Sequence, residues 1–227
     1  MKSGKHDVTD IYGVRRNRFS GYRLPDAPET GFRHSSHYHK YFRGYTEIRK
    51  KNAKGRIVVE RYYTQPWIVS GLSSKKYWLC RTVYAVLNLA AIAFYILGLC
   101  QDIPANKSPL VALSGLPGAI LLFLLSVSTV CYIIVPKKMT LWDHASSTKR
   151  LKTISVITAG VIALTSVLMV GYLLFTGTQI AHSAVAAASV MLASVMALVI
   201  YVIEKRMPYT EVPNNTKLPA GEAHEIW

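Results

Sequence analysis

"LVALSGLPGAILLFLLSVSTVCYIIV", residues 110–135, runs for 26 positions without Asp, Glu, Lys, Arg or His. An α-helix rises 1.5 Å per residue, so about 20 such residues cross the roughly 30 Å of hydrocarbon in a bilayer. Core helices of globular domains are usually shorter. The stretch therefore reads as a membrane span, and it has three companions. These are "YWLCRTVYAVLNLAAIAFYILGL" at about 77–99, "TISVITAGVIALTSVLMVGYLLF" at about 153–175 and "QIAHSAVAAASVMLASVMALVIYVI" at about 179–203. The expected fold class is an all-α polytopic membrane protein, with a four-helix transmembrane domain over 77–203. No secretory signal precedes the first apolar run, so that span is expected to act as an uncleaved insertion signal.

The connections set the expected orientation. "KKMTLWDHASSTKRLK", residues 137–152, joins the second and third spans and holds Lys137, Lys138, Lys149, Arg150 and Lys152 against one acidic residue, Asp143. The first connection, "CQDIPANKSP", holds one Lys, and the last, "TGTQIAHS", holds no Lys or Arg. Lys205 and Arg206 follow the fourth span. Cytoplasmic loops carry the Lys and Arg excess. The N-terminal arm, the 137–152 loop and the C-terminal tail (204–227) are therefore expected inside, with the protein in the cell membrane. Tyr77, Trp78, Trp142 and Tyr201 stand where aromatic rings anchor helices at the bilayer interface.

The 137–152 loop also brings Asp143, His144, Ser146 and Ser147 close in sequence. A catalytic triad is a matter of geometry, and sequence neighbours on a helix point about 100° apart. The loop is read as a topological anchor, and no catalytic, cofactor-binding or metal-binding residue is predicted. Cys80, Cys100 and Cys131 form no CxxC pair and imply neither a disulfide framework nor a metal site.

Charge and hydropathy divide the chain. Half of its residues, 51%, are hydrophobic, yet the net charge is +15. Residues 1–81 carry 18 Lys and Arg against 6 Asp and Glu, a net of +12. Residues 1–44 are polar, basic and without apolar periodicity, so a disordered cytoplasmic arm is expected there. Three of its histidines, His34, His37 and His39, lack the acidic or Cys partners of a metal site. Residues 45–76 differ. "YTEIRKKNAKGRIVVERYYT" sets β-branched and aromatic runs around "KNAKG", a β-hairpin signal. A lone hairpin is marginal in water, so it needs a surface to pack on. "RGYTEI" resembles the opening of an RNA-recognition signature and then departs at Thr46 and Glu47. No nucleic acid is expected.

Ionisable residues inside a span are costly and usually functional. The four expected spans hold no Asp, Glu, Lys or Arg in their interiors, and Arg81 and His182 lie at span ends. "SGLPG", residues 114–118, reads as a packing kink at Pro117. Ser189, Ala193 and Ala197 form a small-residue stripe suited to close helix contact, within one bundle or in a homo-oligomer. The expectation is a non-enzymatic membrane protein. Its basic arm would dock a cytoplasmic partner protein or the anionic lipid surface, as a scaffold or accessory subunit. The alternative is a small uncoupled transporter or channel acting as an oligomer, with Asn88, Ser126, Thr129, Thr165 and Ser166 lining its path.

Overall fold

A computed structural model describes residues 14–15, 42–51, 57–177, 180–219 and 222–226. The expected disordered arm, His34, His37 and His39 included, lies almost wholly outside the described residues. The chain divides into two compact units. One joins 70–137 with 143–210, and the other gathers 1–69, 138–142 and 211–227.

The first unit is helical. Its elements are α1 (Ser74–Leu99), the short α2 (Pro104–Lys107), α3 (Pro109–Ile134), α4 (Leu141–Thr176) and α5 (Ile180–Lys205). Four of them, α1, α3, α4 and α5, are long and apolar enough to cross a membrane. Local sequence starts them: the Ser73 hydroxyl accepts the Lys76 N–H at the head of α1, and Pro109 opens α3, where its missing N–H costs nothing. Within α4, Leu141–Asp143 is α-helical, with Leu141 and Trp142 counted in the other unit, and His144–Lys149 is π-helical.

The bundle sets hydroxyls within a largely apolar core and turns large apolar side chains outward. Ser128, Ser155, Thr158, Thr165, Ser166 and Ser194 are buried, whereas Leu89, Leu113, Phe123, Leu174 and Phe175 face outward. Hydrocarbon around the helices accounts for this, since lipid tails solvate Leu and Phe as well as a protein interior does. The bundle closes in the order α1–α3–α4–α5 and back to α1.

Antiparallel neighbours are tied by side chains reaching across to main-chain carbonyls. Thr165 donates to Ser114 O at 3.1 Å, Ser166 to Ala187 O at 2.9 Å and Ser194 to Ala159 O at 2.7 Å. The α1–α5 seam is tightly packed at Gly98. A Cβ there would lie 2.5 Å from Val190 Cγ2 and 2.8 Å from Ala186 O, so only glycine fits. Of the expected stripe, Ala193 and Ala197 are fully buried, while Ser189 sits at the partly exposed edge and bonds back to Val185 O. The buried seam runs instead through Ala186, Val190, Ala193 and Ala197. On α3, Tyr95 packs over Gly118, where a Cβ would come within 2.5 Å of its hydroxyl, and donates to Gly115 O. The "SGLPG" glycines thus make room for one phenol beside Pro117.

The second unit is built of strands. The expected hairpin is present as β2 (Tyr45–Lys51) and β3 (Ile57–Tyr63), antiparallel from Tyr45↔Tyr63 to Lys51↔Ile57. It does not stand alone. The N-terminal β1 (Val14–Arg15) pairs with β3, and β7 (Glu222–Ile226) pairs with the other edge of β2, giving the order β1-β3-β2-β7. A second sheet has the order β5-β4-β6, from β4 (Trp67–Ser70), β5 (Lys138–Met139) and β6 (Tyr209–Val212). Ile68↔Met139 and Val69↔Lys138 are in register there. The spans are thus helical as expected, and segments outside them add seven strands among the described residues.

Candidate functional site

The sequence cluster of the 137–152 loop does not assemble into a triad. Ser146 and Ser147 both donate to the main-chain carbonyl of Asp143 one turn earlier, and the His144 ring packs edge-on to Tyr209 at 5.0 Å between centroids. The serine hydroxyls serve the helix backbone rather than an imidazole. Among the described residues, no group of three His, Cys, Asp or Glu side chains is placed to hold a metal. The three cysteines are free.

The polar residues expected to line a transport path all make hydrogen bonds within the bundle. Asn88 Nδ2 donates to Ser126 Oγ at 3.0 Å, and Ser126 donates to Leu122 O at 2.8 Å. Thr129 donates to Leu125 O at 2.9 Å, and Thr165 and Ser166 bridge to neighbouring helices as described. Each hydroxyl has a carbonyl within its own helix or the next, which hydrocarbon demands of every polar group.

Four titratable groups, the buried Tyr84, Tyr132 and Glu204 and the half-buried Tyr209, gather at the end of the bundle carrying the basic loop. Sequence reading ended the fourth span at Ile203. Helix α5 continues to Lys205 and carries Glu204 into the bundle, where it is 3% exposed. Its Oε2 accepts the Tyr84 hydroxyl at 2.7 Å, and its Oε1 accepts the Tyr209 hydroxyl at 2.6 Å. Thr148 Oγ1 donates to the Tyr209 oxygen at 3.5 Å, extending the chain to α4. Burial, reinforced by the neighbouring Glu204 carboxylate, raises the Tyr209 phenol above its ordinary pKa, so it stays a donor. Tyr132 of α3 packs edge-on to Tyr84 at 5.1 Å between ring centroids, with its hydroxyl buried.

Beside this cluster, Arg81 is buried rather than held at an exposed span end. Its guanidinium donates to Val135 O and, at 3.2 Å, to the Tyr77 hydroxyl, and it lies 4.4 Å over the Tyr77 ring. Val135 caps the C-terminus of α3, where the helix dipole favours a cation. Tyr77 therefore faces inward, whereas Trp78, 62% exposed, keeps the outward setting of an interfacial anchor. The cluster gives one end of the bundle a polar, hydrogen-bonded floor.

The β unit has its own core. Phe42, Tyr45, Tyr63 and Trp67 stack in series, with centroids 5.7, 5.2 and 4.6 Å apart. Lys138 lies 4.4 Å over the Trp67 ring, a cation–π contact that holds the short β5 against β4. The Tyr63 hydroxyl donates to Pro66 O at 3.0 Å and accepts the Leu141 N–H at 3.0 Å. Glu47, fully buried, takes the Arg61 Nε–H at 2.7 Å across the hairpin. The basic N-terminal region thus contains a specific, folded aromatic centre.

Against protein-family models, curated proteins and solved structures, the chain has no match.

Proposed function

We propose that this chain is a non-enzymatic, multi-pass protein of the cell membrane, whose basic cytoplasmic side docks an acidic surface, either a partner protein or anionic lipid headgroups. One observation carries the reading. Strands from before α1, from the α3–α4 loop and from beyond α5 belong to one β unit. Segments that share a unit lie on one face of whatever membrane the helices cross. The segment before α1 and the α3–α4 loop carry a Lys and Arg excess, and Lys205 and Arg206 stand at the end of α5, which supports a cytoplasmic position for both chain ends. The opposite side offers only the short 100–108 and 177–179 connections, too little for a receptor surface. The pairing of interior polar groups between helices favours a packed scaffold over a water-filled path.

Two measurements test it. In a cysteine-free background, Lys107→Cys should react with an impermeant thiol reagent in intact cells and Lys149→Cys only after permeabilisation; the reverse refutes the orientation. For docking, the intact chain is placed in nanodiscs. Trypsin should cut the β unit more slowly in anionic than in neutral bilayers, and salt should remove the difference, because screening shortens to about 8 Å at physiological ionic strength. If lipid charge has no effect, chain purified in mild detergent should instead hold a stoichiometric protein that Lys50→Gln with Lys51→Gln and Arg56→Gln releases. Failure of both arms refutes the proposal.

A further inference from the structure

We propose that the outer edge of β2 is a strand-acceptor site for an extended acidic protein segment, occupied in this chain by its own C-terminal strand β7. The inference rests on the docking function above and names the chemistry of the partner: a protein segment that adds a strand, not a lipid.

Strand β2 is a central strand. Tyr45, Thr46, Glu47 and Ile48 are 7, 1, 0 and 0% exposed. Successive strand residues point to opposite faces, so both faces of β2 are covered over Tyr45–Ile48. One edge is taken by β3 through the hairpin. The other is taken by β7, with Tyr45↔Ile226, Thr46↔Glu225, Glu47↔His224, Ile48↔Ala223 and Arg49↔Glu222 in antiparallel register. Without β7, that edge would present a row of unpaired N–H and C=O groups, a ready template for any extended chain.

Composition selects which chain. Residues 43–61 hold seven Lys or Arg against two Glu, whereas β7, "EAHEI", holds two Glu and no Lys or Arg. The register sets Glu222 opposite Arg49 and His224 opposite Glu47. An acidic strand ending on an apolar residue level with Tyr45 is the pattern this edge already accepts. In strand addition the main-chain bonds supply affinity and alternate side chains supply selectivity. β7 is only five residues long and hangs from β6 by residues 213–221, so it is a short, tethered occupant. Tethering holds it at an effective concentration in the millimolar range. A free competitor must outbid that tether, and a larger partner with contacts elsewhere on the basic face does so.

The test uses the detergent-solubilised full chain, a version ending at Leu218, and a fluorescein-labelled peptide of residues 219–227. Anisotropy should show the shortened chain binding the peptide at least tenfold more tightly than the intact chain. Ala223→Pro in the intact chain, which removes a strand N–H, should open the edge and bring peptide binding to the level of the shortened chain. A peptide carrying Glu222→Lys and Glu225→Lys should bind the shortened chain at least tenfold more weakly. Should shortening loosen the sheet, hydrogen exchange at Tyr45–Ile48 decides: added peptide restores protection if the site is real and leaves exchange fast if it is not. Equal binding to both chains, no binding to either, or indifference to charge reversal overturns the proposal. Retention of the charge-dependent docking described above, with no peptide binding, would sink this inference alone.

Discussion

Gly98→Ala probes a close approach of α1 to α5. The added Cβ would lie 2.5 Å from Val190 Cγ2, 2.8 Å from Ala186 O and 3.2 Å from Val190 N. Non-bonded carbon atoms prefer about 3.5–4.0 Å, so the first contact is about 1 Å too short. Turning the Val190 side chain relieves that contact only. The other two atoms are main chain, so α1 and α5 must separate. Overpacking of this kind costs about 1–3 kcal/mol. Against it stands the intrinsic gain of Gly→Ala in a helix interior, about 0.8–1 kcal/mol. Gly160→Ala on α4 isolates the two effects, because a Cβ there meets nothing within 4 Å. It should be neutral or slightly stabilising. The expected difference between the two variants is therefore about 1–3 kcal/mol, the steric part alone. Thermal unfolding in mild detergent, followed by tryptophan fluorescence alongside size-exclusion profiles, reads it. Adding Val190→Ala should recover only part of the loss, since Ala186 O stays in place. If Gly98→Ala proves as stable as Gly160→Ala, the α1–α5 seam does not run where Gly98, Ala186 and Val190 put it.

At the other end of that seam, Tyr84→Phe removes the hydroxyl that Glu204 accepts at 2.7 Å and keeps the ring, so it should cost about 1.5–3 kcal/mol, as hydrogen bonds to charged groups do. Unfolding in detergent measures the loss, and wild-type stability for Tyr84→Phe and Tyr209→Phe alike would mean the phenols do not hold the carboxylate. In the β unit, Arg61→Ala leaves the fully buried Glu47 without its 2.7 Å partner and should destabilise that unit by about 3–5 kcal/mol. Hydrogen exchange should then quicken across β2 and β3 while the four long helices keep their protection; unchanged exchange in the hairpin counts against the pair as its centre.

The helices were legible because length and apolarity suffice to mark them, and the hairpin because β-branched runs flank a turn. What stayed hidden depends on partners distant in sequence. Glu204 sits where an apolar window ends, so it read as tail, and its partner Tyr84 lies 120 positions away. Strand β7 is rich in Glu and Ala, residues depleted in strands, and only pairing with β2 makes it one. The Ser189–Ala193–Ala197 stripe erred for a geometric reason. An i+4 step turns 400°, so a stripe drawn that way drifts about 40° per step around the helix. The seam corrects the drift by mixing steps of three and four, through Ala186, Val190, Ala193 and Ala197, and leaves Ser189 at its edge.

Along the α1–α5 seam the two fastenings differ in kind. Gly98 and Tyr84 are 14 residues apart, about 21 Å along the helix. At the Gly98 end, small residues let the backbones close and dispersion holds them. At the Tyr84 end, the phenols of Tyr84 and Tyr209 reach Glu204 through hydrogen bonds. Hydrocarbon explains the need for both. It gives no hydrophobic drive to associate helices, so contact must come from close packing or from polar groups with no other partner. Small-residue packing is the α1–α5 fastening at the end where the connections are short. The polar fastening lies at the end where α1, α3, α4 and α5 lead into the basic segments of the chain, and there the carboxylate ties α1, α5 and the residues just beyond α5 into one hydrogen-bonded group. A single glutamate, taken from sequence as the first residue of a tail, is thus the last residue of the membrane domain's core.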